Sequence, residues 1–442
     1  MKKLFLTLGL TLSLYGSMSI QEAWKSLESN NNGIKASLDD ERIAQNKKSS
    51  ATSMYLPAIT VVGSYTHLSD PIKVEDQFKG PITGNIYPFE VDLSQKDVFL
   101  ADLNMLWPLY TGGKIDAAQM IYSAKSDEAK AKSEMKKDEE FLKLVKYYYG
   151  AVVAQALYET RLQSKKALLL HYKNAQKLKE NGQIAKIELL NAKVKLDGAT
   201  TQTLKAKHKY EIALSALSHL VEQKITPSSP LFVNGVEKEE EYYKLQTEQN
   251  YAGLDILLAK EKQSQALVKI KKAAWHPEVV GYANYNLYKD DSILSKSLPQ
   301  WFAGVVVKIN LLQREDRGEE IEIAKLTNAK VKHLYKEALQ NLSLLVEKTY
   351  KEMEAAQEEY FSLDSSLELA EQNYHLREIS FQEGLSTSVE LVDAQMFLLG
   401  AKTKKLNAAY EYVQKLSQLC VLSGEREMFF KLMQESGEKD ER

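Results

Sequence analysis

Two short stretches, 202 residues apart, decide the fold. Residues 181–192 read NGQIAKIELLNA, and residues 383–394 read EGLSTSVELVDA. The same offset continues downstream through seven apolar or small positions spaced 3,4,3,4,3,4, and six of the seven pairs are identical: in the first copy these six are Leu189, Ala192, Leu196, Ala199, Ala206 and Tyr210. A heptad spacing is typical of a helix that packs along its length against another helix. The chain therefore contains a duplicated helical hairpin.

Within each repeat the hydrophobic period changes from helical to alternating and back. Alternating segments near 59–66 and 98–107, and again near 279–288 and 305–311, predict four strands of about ten residues, the length of a tilted membrane strand. The period puts Tyr285 and Leu287 on one face and Tyr288 on the other. The first repeat is 18 residues longer between its proline landmarks, Pro57 and Pro108, which predicts a surface loop there.

Residues 113–180 and 315–382 predict two long helices of equal length. The first stretch has no proline and, after Gly113, no glycine except Gly150. At 1.5 Å per residue each helix would reach ~100 Å, far beyond the ~11 residues of an average helix. Shorter return helices are predicted at 184–222 and 386–422.

These patterns predict that the chain is organised in five consecutive segments. Residues 1–19 are predicted to be a signal peptide, because Lys2 and Lys3 precede an apolar stretch and small residues follow at Ser17 and Ser19. The first repeat, 20–225, has its β-hairpin at about 58–107. A connector at 226–250 joins it to the second repeat, 251–424, with a β-hairpin at about 278–311. Residues 425–442 form a C-terminal tail.

Composition excludes several classes of protein. With 58 Lys and Arg against 60 Asp and Glu, the net charge of −2 offers no basic surplus for nucleic acid. Cys420 is the single cysteine, which excludes internal disulfides and cysteine zinc clusters. Enzyme motifs are missing and the seven histidines do not pair at ligand spacing, so we expect neither an enzyme, nor a cofactor, nor a dedicated metal site.

Four strands cannot close a barrel, since closure takes about eight, and lipid does not tolerate an open sheet edge. Three copies would supply twelve strands. The predicted fold class is thus mostly α with a small β part: duplicated long helical hairpins forming a trimeric α-barrel, and four strands per chain contributing to a 12-stranded transmembrane β-barrel. The alternative is a structural coiled-coil protein with two exposed β-hairpins.

Taken together, these features resemble the TolC family of outer-membrane efflux proteins. The resemblance rests on the duplication, on the strand-to-helix junction at 107–113, which reads WPLYTGG, and on the turns at 182–184 and 384–386. It implies an outer-membrane homotrimer in contact with lipid, with a large periplasmic tunnel, docked onto a periplasmic adaptor (membrane fusion) protein and an inner-membrane pump of the RND, ABC or MFS class. It would be a passive exit duct for efflux or type I secretion. A periplasmic adaptor is the rival interpretation, although adaptors usually carry one hairpin and no duplication.

The resemblance also suggests which residues carry function. The family places acidic side chains six and nine residues after the second turn glycine, at the narrow periplasmic mouth. Here these are Glu390 and Asp393, and counting from Gly182 gives Glu188 and Asn191. In a trimer they would form rings of like charge that raise each other's pKa, favour cations and offer oxygen ligands to divalent ions. The alternative for each is a solvated surface side chain.

Three further groups of residues are singled out. The turn residues are expected to cap the helices and to form the surface that an adaptor contacts: Gly182, Gln183, Ile184, Gly384, Leu385 and Ser386. The strand–helix junction is assigned to Pro108, Gly112 and Gly113, and residues 310–315 of the second repeat lack this pattern. Similar proteins often lock the closed tip with a tyrosine and an arginine, but those positions are Phe381 and Ser386 here, so such a lock is not expected.

Overall fold

The computed structural model of the chain describes residues 16–82, 84–234, 238–311, 316–383 and 385–440. Most of them are helical, in α1 (Ile20–Asn30), α2 (Asn32–Ala51), α3 (Lys114–Glu180), α4 (Lys186–Val221), α5 (Glu240–Asn250), α6 (Ala252–Ala273), α7 (Ile293–Ser297), α8 (Arg317–Gln382), α9 (Ser388–Leu422) and α10 (Arg426–Asp440). In this described part of the chain, no helix combines the length and the apolar character needed to cross a membrane.

Strands form the smaller part of the molecule. They are β1 (Gly16–Met18), β2 (Ala58–His67), β3 (Lys73–Lys79), β4 (Ile86–Asp92), β5 (Asp97–Tyr110), β6 (Ile225–Pro227), β7 (Glu278–Lys289) and β8 (Trp301–Lys308). Four of them make one antiparallel sheet in the order β2-β5-β7-β8. The mostly helical fold class with four sheet strands, built on two long helical hairpins, is therefore confirmed.

The register of this sheet separates an apolar face from a face that carries polar side chains in its central rows. One row across the four strands is Val61, Leu103, Tyr285 and Trp301. The neighbouring row, on the opposite face, is Thr60, Asn104, Asn284 and Phe302. Within it Asn284 Nδ2 donates a hydrogen bond of 2.9 Å to Asn104 Oδ1. Because side chains alternate across a strand, the next row, Ile59, Met105, Ala283 and Ala303, returns to the apolar face. The other face mixes its polar residues with apolar ones such as Leu106 and Val280.

A bulge changes one predicted orientation. Asp102 pairs with Asn286 whereas Ala101 pairs with Tyr288, so Leu287 is left without a partner on β5. An extra residue shifts the alternation by one. Tyr288, which strict alternation placed opposite Tyr285, therefore pairs on the apolar side in place of Leu287.

The additional residues of the first repeat do not form the predicted surface loop. It folds as the hairpin β3–β4, a separate two-stranded sheet between β2 and β5. Its pairs include apolar ones such as Phe78 with Tyr87 and charged ones such as Lys73 with Asp92. At its base, Leu294 N of α7 donates a hydrogen bond of 2.8 Å to Leu93 O, which ties the hairpin to the second repeat.

The chain divides into two compact units. One contains residues 42–128 and 257–334, and hence the four-stranded sheet and the β3–β4 hairpin. The other contains residues up to 41, residues 129–256 and residues from 335 onward.

This second unit holds the hydrophobic core, where aromatic rings from several helices meet. Its largest fully buried side chains include Phe141, Tyr148, Tyr149, Tyr412 and Phe429. The predicted connector takes part, since Phe232 and Tyr243 lie in the same cluster. The predicted C-terminal tail contributes α10, whose Phe429 packs edge-on against Phe141 with the ring centroids 5.6 Å apart.

Part of the predicted signal peptide is integrated into this unit. β1 pairs in parallel with β6, and Tyr148 Oη donates a hydrogen bond of 2.7 Å to the carbonyl of Met18. Ser19 caps α1 in a reciprocal capping box with Glu22. Cleavage directly after Ser19 would remove these contacts. Residues 1–15 of the predicted signal lie outside the described residues.

Candidate functional site: the two hairpin tips

The first tip joins α3 to α4 through a left-handed glycine. Gly182 has a φ of 74°, and Gln183 N donates a hydrogen bond of 2.8 Å to the carbonyl of Leu178. This bond spans five residues and closes the end of α3, as in a Schellman motif. At the start of α4, Ala185 takes the N-cap position with extended backbone and makes no side-chain cap.

The second tip is built in the same way but capped more strongly. Leu385 N donates a hydrogen bond of 2.8 Å to Ser380 O, while Gly384 itself lies outside the described residues. Thr387 is the N-cap of α9 and forms a capping box with Glu390. The side chain of Leu385 is 82% exposed at the apex. The tip therefore presents an exposed apolar residue on a hydrogen-bonded turn.

Glu390 is held by three neighbouring residues, Ser386, Thr387 and Arg377, rather than left free in solvent. Its Oε2 accepts hydrogen bonds from Ser386 Oγ at 2.7 Å and from Thr387 N at 2.9 Å, and Arg377 lies 3.6 Å from its Oε1. The Ser386 hydroxyl, followed by the Thr387 amide, holds the pKa of this carboxyl below its ordinary value. Within one chain the effect is thus opposite to the upward shift expected from a ring of carboxylates.

The other predicted aperture residues lie within the first two turns of the return helices. Asp393 is exposed on α9, three residues after Glu390. Glu188 and Asn191 are half-buried at the corresponding positions of α4, and Glu188 Oε2 is enclosed without a hydrogen-bond partner among the described residues. Residues three apart share a helix face, so each pair can point toward the same space.

The two lock positions have different partners from those of a tyrosine–arginine lock. Phe381 is buried, and its ring lies 4.3 Å from that of His171 on α3 in an edge-on arrangement. Ser386 is committed to Glu390. His171, which the sequence did not single out, also hydrogen-bonds to Ser388 through Nε2.

Sequence reasoning missed two features of this site. The pattern Thr-x-x-Glu at 387–390 is a capping-box signal and could have revealed the second role of Glu390. The contact of His171 with Phe381 and Ser388 has no local signal, because its partners are more than 200 residues away along the chain. Among the described residues, no group of three or more acidic, histidine or cysteine side chains is arranged to hold a metal ion.

At the other end of α3, glycine conformation allows the strand-to-helix junction. Gly112 and Gly113 have φ values of 63° and 86°, and a Cβ on Gly112 would lie 2.6 Å from the Cβ of His276. Pro108 lies beside a bulge at the end of β5, beyond its pairing with β2, where a missing N–H is tolerated. The second junction differs, because Arg317 donates a hydrogen bond to the carbonyl of Asn310. The Arg317 guanidinium lies 5.0 Å from the centroid of the Trp275 ring. Residues 312–315 lie outside the described residues.

Comparisons with known proteins agree with this architecture. A family model described as outer membrane efflux protein matches residues 23–221 and 246–425. No match was found among curated protein sequences. Solved structures are similar over nearly the whole chain at low identity.

Three of these structures illustrate the likeness. The Campylobacter jejuni CmeC outer membrane channel is 16% identical, with a TM-score of 0.73 over 94% of this chain and 89% of its own. The outer membrane protein VceC from Vibrio cholerae is 15% identical, with a TM-score of 0.74 over 92% and 96%. The Neisseria gonorrhoeae MtrE outer membrane channel is 15% identical, with a TM-score of 0.74 over 94% and 91%.

At identities of 15–16% the structural likeness establishes the fold. Membership of the family rests on the match to the family model. Two matched segments cover both repeats, which confirms the resemblance to the TolC family that the sequence suggested. The chain belongs to the outer membrane efflux protein family and is a transport protein of the outer membrane.

Proposed function

We propose that three copies of this chain form a passive exit duct, with a 12-stranded barrel in the outer membrane and a tunnel of helices in the periplasm. The observation that carries this proposal is the four-stranded sheet, whose outer strands β2 and β8 are each paired on one side only within the described residues. Unpaired backbone groups at a sheet edge are too costly to leave in lipid. Joining β8 of one copy to β2 of the next would remove every edge.

The division of the sheet into two faces supports the same arrangement. The apolar row contains Val61 and Trp301, each 66% exposed in the single chain. The opposite row carries Asn104 and Asn284, which hydrogen-bond to each other. A barrel wall between lipid and an aqueous lumen requires this alternation of apolar and polar residues. A structural coiled coil would leave the apolar face against water.

Long helices would carry the duct away from the membrane. α3 has 67 residues and α8 has 66, each ~100 Å at 1.5 Å per residue. α3 follows directly on β5 through the glycine junction, so the helix and the sheet strand belong to one continuous segment. Three copies of both hairpins would supply the twelve rods of an α-barrel.

The hairpin tips would form the periplasmic mouth. Glu390 and Asp393 would line it as acidic rings, supported by Glu188 on the neighbouring hairpin, so the mouth would favour cations. The exposed turn residues, among them Leu385, are the proposed contact surface for a periplasmic adaptor. The duct would have no catalytic activity, and an inner-membrane pump would supply the energy for efflux or for type I secretion.

Conductance across planar bilayers tests this proposal. The double variant Glu390→Ala and Asp393→Ala should show a higher single-channel conductance and a weaker block by multivalent cations than the wild type, because the acidic rings are removed. Glu411→Ala, an exposed carboxylate on the same helix α9 but away from its first turn, is the matched control and should behave like the wild type. A double variant with unchanged conductance and unchanged block would refute the aperture assignment.

A further inference from the structure

We propose that the contact of His171 with Phe381 and Ser388, the tip latch, restrains the periplasmic mouth of this duct and is released when His171 is protonated. This inference rests on the proposed function, because it assumes a trimeric duct whose tip can open. It assigns the restraint to a histidine and its contacts, in place of the tyrosine and arginine that similar proteins carry at the positions of Phe381 and Ser386.

The tip latch joins the two repeats at the point where the second hairpin turns. Ser388 is the first residue of α9, and Phe381 is the last but one of α8. His171 of α3 bonds to Ser388 and packs against Phe381, so one side chain contacts both arms of the hairpin. Any movement of that tip away from α3 must break both contacts.

The surroundings of His171 favour its neutral form. The side chain is 4% exposed, and Nδ1 has no hydrogen-bond partner among the described residues. A neutral imidazole satisfies this arrangement if Nε2–H donates to Ser388 Oγ and Nδ1 keeps its lone pair. Protonation would add an N–H and a positive charge at a buried atom that no protein group in the described chain is placed to receive.

One carboxylate, Glu378, lines the pocket beside His171, but it already accepts a hydrogen bond from Tyr374 and makes no hydrogen bond to the imidazole. The titratable groups beside His171 are Tyr374 and Glu378 on α8, and they bond to each other at 3.4 Å. From α9 come Ser388 and Gln395, which carry no charge, and the lining residues of α3 itself are also uncharged: Ala167, Leu168, Leu170 and Asn174. Farther along, Arg377 is paired with Glu390.

The direction of the pH effect follows from burial. Burial lowers the pKa of His171 below the ordinary value of 6.5, so the latched tip binds fewer protons than the released tip. The latch is therefore at full strength above that value and weakens as the pH falls below it. Each unit by which the two pKa values differ multiplies the ratio of released to latched tips by up to about ten.

The test measures the open fraction of single channels formed by the full trimer, at neutral pH and at about pH 5, where an ordinary histidine is protonated. Wild-type channels should open more often at acid pH. His171→Gln keeps an amide donor for Ser388 but cannot titrate in this range, so its open fraction should not respond to acid. His375→Gln removes an exposed histidine near the end of α8 and is the matched control, which should respond like the wild type.

A second variant and a second measurement test the latch even if His171→Gln folds poorly. Ser388→Ala keeps the imidazole but removes its partner, so it should raise the open fraction at neutral pH. Spin labels at the exposed positions Lys173 and Val389 should move apart on acidification in the wild type. Channels that open with acid equally in His171→Gln, or labels that stay in place while the channel opens, would overturn the latch, whereas an absence of channels at every pH would overturn the proposed function.

Discussion

Thr387 and Ala185 occupy corresponding positions in the two repeats, and the difference of one hydroxyl changes the role of the glutamate that follows. Thr387 allows a full capping box, so Glu390 receives hydrogen bonds from the backbone of its own turn. Ala185 offers no side-chain cap, and Glu188 is not held in this way. The duplicated carboxylates are therefore not equivalent: one serves as a helix cap as well as a candidate aperture residue.

This difference predicts opposite effects of two single substitutions. Thr387→Ala should lower the stability of the second tip by about 1 kcal/mol, because N-cap hydroxyls contribute roughly that amount. Ala185→Thr should stabilise the first tip, since the backbone at 185 is already extended and Glu188 is in place to complete the box. The measurement is the denaturation midpoint of the detergent-solubilised protein. Equal midpoints for the two variants and the wild type would refute the cap assignment.

Among the elements, those with a long uninterrupted period could be predicted from the sequence, and those fixed by distant contacts could not. α3 and α8 follow from two long stretches of equal length, the first of them without proline and, after Gly113, without glycine except Gly150. The alternating segments indicate the four sheet strands. The hairpin β3–β4 was expected to be a loop, because its alternation is short and its base bonds to α7, about 200 residues away. Leu287 was misplaced because a bulge depends on the partner strand, which a single period does not contain.

The predicted C-terminal tail also differs from the structure, because its residues form the helix α10. Arg426 at its start bonds through Nη2 to Glu134 at 2.8 Å and through Nη1 to Asp138, both on α3. Its guanidinium lies 6.0 Å from the Trp24 ring centroid. Burial raises the pKa of Asp138, so this carboxylate depends on the arginine beside it to stay charged.

Removing this arginine should therefore destabilise the helical unit measurably. Arg426→Ala would leave Asp138, whose side chain is 12% exposed, without its counter-charge, and we expect a loss of about 2–4 kcal/mol. Lys431→Ala, an exposed site on the same helix, should change stability by less than about 0.5 kcal/mol. Denaturant unfolding monitored by circular dichroism checks both values. Identical midpoints for the two variants would show that the Arg426 cluster does not hold α10 in place.

In the assembled protein, some features of the sheet and of the hairpin tips could be predicted from the sequence and others could not. The positions of Glu390 and Asp393 follow from the turn glycine by counting, and the structure places both near the start of α9, at the second hairpin tip. The tip latch could not be found in that way, because His171 belongs to the first repeat and its partners to the second. The proposed number of copies has no local signal either, and its support comes from β2 and β8, each of which is paired on one side only among the described residues.

Cross-linking those edges tests whether β8 of one copy pairs with β2 of the next in a trimeric barrel. Val61→Cys on β2 and Val305→Cys on β8 lie on the same apolar face in the middle of the two edge strands, and the native Cys420 is buried away from reagents. With a short thiol cross-linker in outer membranes, the double variant should give covalent species of two and three chains and none larger, while either single variant should give none that join edge to edge. Cross-links confined to one chain, or no cross-links in a protein that is stably monomeric in lipid, would contradict the trimeric barrel.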